Sequence, residues 1–287
     1  MASIAIYNIM ATYLITGASR GIGFELTKQL LDLPASQVSK IFAVARNTDT
    51  GLLQELVQKH SDRVFPISAS VQDNASVQKA VEAVKANLQG KGLDVLVNNA
   101  GVMDHSPGKI GSMETDQLTW TLDINVVGVQ RVTAAFLPLL EQGTQKKIVN
   151  IVRLMIITSS SGFGSFAYVA YTAAIPADAY NISKAALNML TVRYAHQYAD
   201  AGFTVVALSP GVSTPTYDKD SDVDIVLQWI KTDMGSQDAD LSVEVGVAEV
   251  KRVILESGKE QNGKFLNINV PKTDEMKWSY DGQDIPW

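Results

Sequence analysis

Short apolar runs alternate along this chain with longer segments in which apolar residues recur every three or four positions. The runs Tyr13–Thr16, Lys40–Ala45, Val64–Ile67, Leu93–Val97, Phe203–Leu208 and Phe265–Val270, with one more inside Lys146–Thr158, predict seven strands. Helical spacing between them predicts helices over Gly23–Leu31, Leu52–His60, Ala75–Leu88, Thr115–Leu140 and Ala179–Ala201. Strands this apolar are buried on both faces, so they pair in parallel under helices on both sides. No linker and no repeat interrupts the alternation. Residues 1–287 therefore read as a single doubly wound α/β domain with a mostly parallel seven-stranded sheet. Ligands of such folds sit at the carboxyl ends of the strands.

Composition narrows the function. With 46% hydrophobic and 19% charged residues the chain has an ordinary globular make-up, which excludes disorder and coiled coil. It contains no uninterrupted apolar run long enough for a membrane span. A net charge of −6 with no basic stripe argues against a nucleic-acid partner. The absence of cysteine removes disulfides, thiol nucleophiles and thiolate metal sites, and fits a reducing, cytoplasmic compartment. His60, His105 and His196 are too scattered to form a metal-ligand pattern, so no metal is expected. Met1–Met10 reads as an apolar extension without the basic region of a signal peptide.

Two segments carry chemistry. The first, Thr16-Gly-Ala-Ser-Arg-Gly-Ile-Gly23, ends the first strand and opens the first helix. Gly17, Gly21 and Gly23 permit a tight turn and close backbone approach. With Ser19, Arg20 and Ile22 they form a phosphate-binding turn at a helix N-terminus. The second strand ends Ala45-Arg46-Asn47, without the acidic residue that holds the ribose 2′-hydroxyl of NAD. Arg46 and Arg20 suit a 2′-phosphate instead, through charge-assisted hydrogen bonds, which points to NADP(H). The second segment is Tyr180-Asn-Ile-Ser-Lys184. Its spacing puts Tyr180 and Lys184 on one helix face. A neighbouring ammonium lowers a phenol from its usual value of about 10 and makes it a workable proton donor.

In order along the chain stand a TGxxxGxG turn at 16–23, Asn98-Asn-Ala-Gly101 after the fourth strand, a serine cluster at Thr158–Ser165, and the Tyr180/Lys184 pair. In these motifs the sequence from Ala11 to Trp287 resembles the classical short-chain dehydrogenase/reductase family. Within that family it is most similar to norsolorinic-acid-ketoreductase-like and sniffer-like carbonyl reductases, the endings Gly263–Pro271 and Tyr280–Trp287 included.

The resemblance implies a Rossmann-type fold and NADPH-dependent reduction of a ketone or aldehyde, with a small hydrophobic carbonyl compound as substrate. It implies that Asn98, Asn99, Ala100 and Gly101 line the adenine–ribose side and brace the sheet. Ser161, in the register Ser-Ser-x-x-Gly164, would donate to the substrate oxygen, with Ser160 and then Ser159 as alternatives. Asn125 would hold a water that passes protons to Lys184, and Arg131 is a weaker cofactor contact. Ser70 stands where relatives carry an aspartate facing the adenine, leaving the Val71 backbone to bind the base. Relatives pair through their two long helices, which implies a homodimer or homotetramer.

Two segments depart from the family pattern. After Pro210-Gly211, residues 212–228 intervene before Trp229-Ile-Lys-Thr-Asp-Met-Gly235, and a smaller excess lies at 152–157. Growth of a substrate loop and translation of an unspliced intron both account for such segments. The family threonine that contacts the nicotinamide is Thr232 by motif and Thr214 by distance from Pro210-Gly211. An intact Tyr180/Lys184 pair favours an enzyme. A disrupted loop after Gly211 favours a protein that binds NADP without turning it over.

Overall fold

The computed structural model describes residues 10–49, 51–104, 110–152, 177–211, 230–232, 241–271, 280–285 and 287. Ser159, Ser160, Ser161, Thr214, the segment 212–228 and all but Val152 of the segment 152–157 lie outside them.

Seven strands form one sheet: β1 (Ala11–Thr16), β2 (Val38–Ala45), β3 (Val64–Ser68), β4 (Val95–Asn98), β5 (Lys147–Ile151), β6 (Thr204–Ser209) and β7 (Phe265–Asn267). Their order is β3-β2-β1-β4-β5-β6-β7 and every neighbouring pair is parallel. The alternation of side chains along β1 shows why both faces are apolar. Tyr13 and Ile15 join one core cluster with Leu26 and Leu30 of helix α1 (Gly21–Leu31), Leu53 of α2 (Gly51–Lys59) and, from the late part of the chain, Val250 of a helix at Val243–Glu256. Leu14 points the other way, into a cluster with Val84 of α3 (Asn74–Leu88) and with Phe136 and Tyr194. Each fully buried side chain of this kind contributes roughly 1.5–3 kcal/mol. The order of strands reverses between β1 and β4, which opens a crevice at their carboxyl ends.

The structure corrects two predicted elements. The helix expected over Thr115–Leu140 comes in three pieces: α4 (Thr115–Leu122), a π turn (Asp123–Val127) and α5 (Gly128–Glu141). The strand expected over Phe265–Val270 stops at Asn267. Its partner β6 ends at Ser209 and is followed by Pro210, which has no N–H to continue the ladder. The chain then forms a separate antiparallel ribbon, β8 (Asn269–Val270) with β9 (Tyr280–Asp281). Helix α6 spans Asp178–Gln197 and α7 is the helix at Val243–Glu256.

Two buried charges fix the end of the sheet opposite the crevice. Just before β4, the Asp94 carboxylate accepts from Thr12 N at 2.9 Å, Thr144 N at 2.8 Å and Thr144 Oγ1 at 2.7 Å. It thereby ties β1 to the loop that enters β5. Lys147, at the start of β5 and 5% exposed, donates to the Ile254 carbonyl of α7 at 2.6 Å. Burial pulls its ammonium down from 10.5 to about 8. Among the described residues no helix is long and apolar enough to cross a membrane, and no group of side chains could hold a metal ion.

Candidate active site

The glycine turn is shaped by close approach. Gly17 has φ +69°, and a Cβ there would lie 2.9 Å from Ala100 Cα. A Cβ on Gly23 would lie 2.4 Å from the Gly17 carbonyl oxygen. Glycine at both positions lets the turn fold back on itself and on the end of β4. Thr16 completes the junction. Its Oγ1 accepts from the N–H groups of Asn99 and Ala100, both at 3.0 Å. Asn99 Nδ2 donates back to Thr16 O at 2.9 Å and to Gly17 O at 3.2 Å. Arg20 makes no side-chain cap on α1, so the first-turn N–H groups keep their capacity for an anion.

This turn forms one wall of a cleft at the carboxyl ends of the strands. Gly17, Ser19, Arg20, Gly21 and Ile22 line it, as do Arg46, Ser70, Val71, Asn99, Ala100, Gly101, Tyr180, Lys184 and Thr232. Arg20 and Arg46, 26 positions apart in sequence, are exposed and share this wall. Thr232 reaches the glycine turn: a Cβ on Gly21 would lie 3.6 Å from its Cγ2. It is held there by its neighbours. Ile230 bridges Leu241, Lys231 N donates to Leu241 O at 2.9 Å, and Ile230 packs so closely on Gly246 of α7 that a Cβ there would lie 2.5 Å away.

Helix α6 supplies the Tyr180/Lys184 pair. Tyr180 and Lys184 are 5% and 6% exposed, one turn apart. Lys184 Nζ donates to Ile151 O, at the end of β5, over 3.2 Å, and lies 5.4 Å from the centre of the Tyr180 ring. Gly101 lies beside both groups: a Cβ there would sit tightly, 3.2 Å, against Asn125 Oδ1 and 3.7 Å from Lys184 Nζ.

Asn125, Asn98, Gly23 and Arg131 are not among the described residues that line the cleft. Asn125 is fully buried in the π turn. Its Oδ1 accepts from Val102 N and its Nδ2 donates to Val102 O and to Ser183 Oγ, all at 2.9 Å. Ser183 Oγ in turn donates to Tyr180 O at 2.7 Å. Asn125 thus joins the segment after β4 to α6. Asn98 does similar work inside the sheet. Its amide donates to Asn150 Oδ1 at 2.8 Å and to Thr133 Oγ1 at 3.1 Å, and Asn150 passes the contact on to Thr191 of α6. Arg131 faces Val71 O and Asp123. Sequence reading missed Gln72, Val102, Gly211 and Ile230, which also line the cleft. The only local signal for them was their position beside a recognised motif.

Comparisons with known proteins show the family and the fold. The sequence pattern of the short chain dehydrogenases matches residues 11–224. The chain belongs to the short-chain dehydrogenase family. The family is one of oxidoreductases, and a relative in Aspergillus aculeatus, the short-chain dehydrogenase/reductase AacuF, is 37% identical over 225 residues, covering 72% of this chain and 76% of the relative. Among solved structures, the NADPH-bound carbonyl reductase from chicken fatty liver is 29% identical with a TM-score of 0.75, over 90% of this chain and 92% of that one. The carbonyl reductase Sniffer of D. melanogaster is 26% identical with a TM-score of 0.75, over 97% and 100%. As a member of the short-chain dehydrogenase family, the chain keeps the glycine turn and the Tyr180/Lys184 pair at one cleft.

Proposed function

We propose that residues 1–287 act as one domain that reduces a small hydrophobic ketone or aldehyde to the alcohol with NADPH. The observation that carries this reading is the cleft itself: Tyr180 and Lys184 share its wall with the glycine turn and with Arg20 and Arg46. NADP(H) fits the residues present. The turn at Gly17–Gly23 suits a pyrophosphate and two guanidiniums suit a 2′-phosphate. The NADPH-bound carbonyl reductase among its structural neighbours supports the same cofactor. When bound, the cofactor supplies the hydride chemistry.

The chain supplies orientation and proton transfer. The Tyr180 hydroxyl delivers a proton to the substrate oxygen, and the Lys184 ammonium beside its ring favours the phenolate left behind. Ser161 shares the substrate oxygen with Tyr180. Asn125 holds a water that passes protons to Lys184. Thr232 contacts the nicotinamide end of the cofactor. We assign the protein to the cytoplasm as a homodimer or homotetramer. Exposed Trp120 of α4, Val127 of the π turn and Met189 of α6 support pairing through these helices.

The test is consumption of NADPH, followed by absorbance, with a panel of hydrophobic ketones and aldehydes. Turnover with NADPH and much slower turnover with NADH is expected. Tight NADPH binding with no turnover on any member of the panel would replace the enzyme by a cofactor-binding protein.

A further inference from the structure

We infer that Arg131 and Asp123, which are not among the described residues lining the cleft, are positioning residues for its adenosine end. The inference rests on the NADPH reading above. Residues 69–72 leave β3 and line the cleft beside Arg46. Beyond Ala69, whose N–H donates to Ala45 O at 2.9 Å, they have no described strand ladder to hold them. Three other elements hold them instead. From α3, Ser76 Oγ accepts the Ser70 N–H at 3.0 Å. From α5, Arg131 Nη1 donates to the Val71 carbonyl, and Gly128 lets the Val71 side chain in so closely that a Cβ there would lie 2.9 Å from Val71 Cγ2. From the π turn, the Asp123 carboxylate accepts Gln72 Nε2 at 2.9 Å and pairs with Arg131 Nη2 at 3.3 Å.

A guanidinium on the Val71 carbonyl fixes the peptide plane between Val71 and Gln72, and hence the direction of the backbone groups offered to a base. The Asp123 carboxylate holds the next side chain along the same wall. One carboxylate and one guanidinium thus serve two consecutive residues of the wall. A forked guanidinium can meet both acceptors at once, whereas an ammonium is a point donor. Asp123 has a second function in the same place. Its carbonyl accepts the Gly128 N–H that closes the π turn, and this turn carries Asn125. The adenosine wall and the Asn125 junction therefore share a residue. Ser70, standing where an acidic side chain would meet the base directly, leaves this wall dependent on its backbone, which raises the weight of whatever orients it.

The experiment titrates adenosine 2′,5′-bisphosphate, which carries the adenine and the 2′-phosphate but no nicotinamide, into wild type and variants by calorimetry. Arg131→Met should weaken binding of the bisphosphate and of NADPH by the same factor, about tenfold, as the Val71–Gln72 peptide loses its fixed direction. Arg131→Lys should recover part of the loss. In turnover the defect should fall on the KM for NADPH and not on kcat. Arg252→Met removes two ion pairs on α7, with Glu249 and with Glu256, and it should leave bisphosphate binding as in wild type. If Arg131→Met fails to fold, the isosteric Asp123→Asn carries the same test. A lowered Tm with unchanged affinity for the bisphosphate would show a merely structural pair and overturn the inference. Equal weakening by Arg252→Met would do the same. Wild type that binds neither bisphosphate nor NADPH overturns the cofactor reading and this inference together. Wild type that binds both, beside an Arg131→Met variant that binds equally well, overturns this inference alone.

Discussion

Lys184 donates from Nζ to the carbonyl oxygen of Ile151 over 3.2 Å, and this bond ties helix α6 to the last residue of β5. The two residues come from different elements, and the bond holds the ammonium at the strand end, 5.4 Å from the Tyr180 ring. Tyr180 is itself buried and lines the cleft.

That placement makes Tyr180→Phe an informative variant. The ring still packs, but the proton donor is gone, so turnover should fall by at least about a thousandfold, within the range general acid catalysis supplies. NADPH affinity, read by fluorescence titration, should change little. Substantial residual reductase activity would move the proton donor to another residue.

Arg46 directly follows β2 and lines the cleft. Arg46→Ala should weaken NADPH binding by roughly 1.5–3 kcal/mol, the worth of a charge-assisted contact, and leave NADH affinity nearly unaltered. Parallel Kd measurements for the two cofactors check this. Equal losses for both would mean that the guanidinium does not meet the 2′-phosphate.

Lys147 makes stability depend on pH in a defined direction. Its folded value, about 8, is below the unfolded 10.5, so the unfolded chain binds more protons between those limits. Stability from this group therefore rises as pH rises from 8 to 10.5, and at neutral pH the buried ammonium costs about 3 kcal/mol. Ser257 Oγ also donates to Ile254 O, at 3.2 Å, so this carbonyl keeps a partner when the lysine is removed. Lys147→Met should accordingly be more stable than wild type at pH 7 by about 1–3 kcal/mol, once the lost hydrogen bond is allowed for. The advantage should shrink at pH 9.5. Urea unfolding of both proteins at the two values measures it, and an advantage that grows with pH would contradict the assignment.

Deletion of 212–228 tests whether Thr232 holds its place without that segment. Residues 230–232 are anchored by Leu241 and Gly246, and Gly211 and Ile230 line the same cleft. The deletion variant should fold and bind NADPH with affinity near that of wild type, since closure cost changes only with the logarithm of loop length. Loss of NADPH binding in a folded deletion variant would show that the segment carries part of the site.

The alternation of apolar runs and helical spacing determined the seven strands, because burial on both faces writes itself into consecutive residues. The glycine turn and the Tyr180/Lys184 pair were legible for the same reason: each is a local device whose members lie within one turn or one loop. Asn98, Asn125 and Arg131 stood out in sequence too, but what they touch did not. Their partners, Thr133, Ser183 and Val71, are set by which helix packs on which strand end. Thr232 beside Gly21 is the extreme case. The two are more than 200 positions apart, and the packing of Ile230 on Gly246 and its bridge to Leu241 bring them together. The π turn, the early end of β7 at Asn267 and the depressed Lys147 likewise depend on neighbours distant in the chain. Spacing along a sequence records local geometry, whereas burial, long-range hydrogen bonds and the shape of a cleft exist only once the elements have packed.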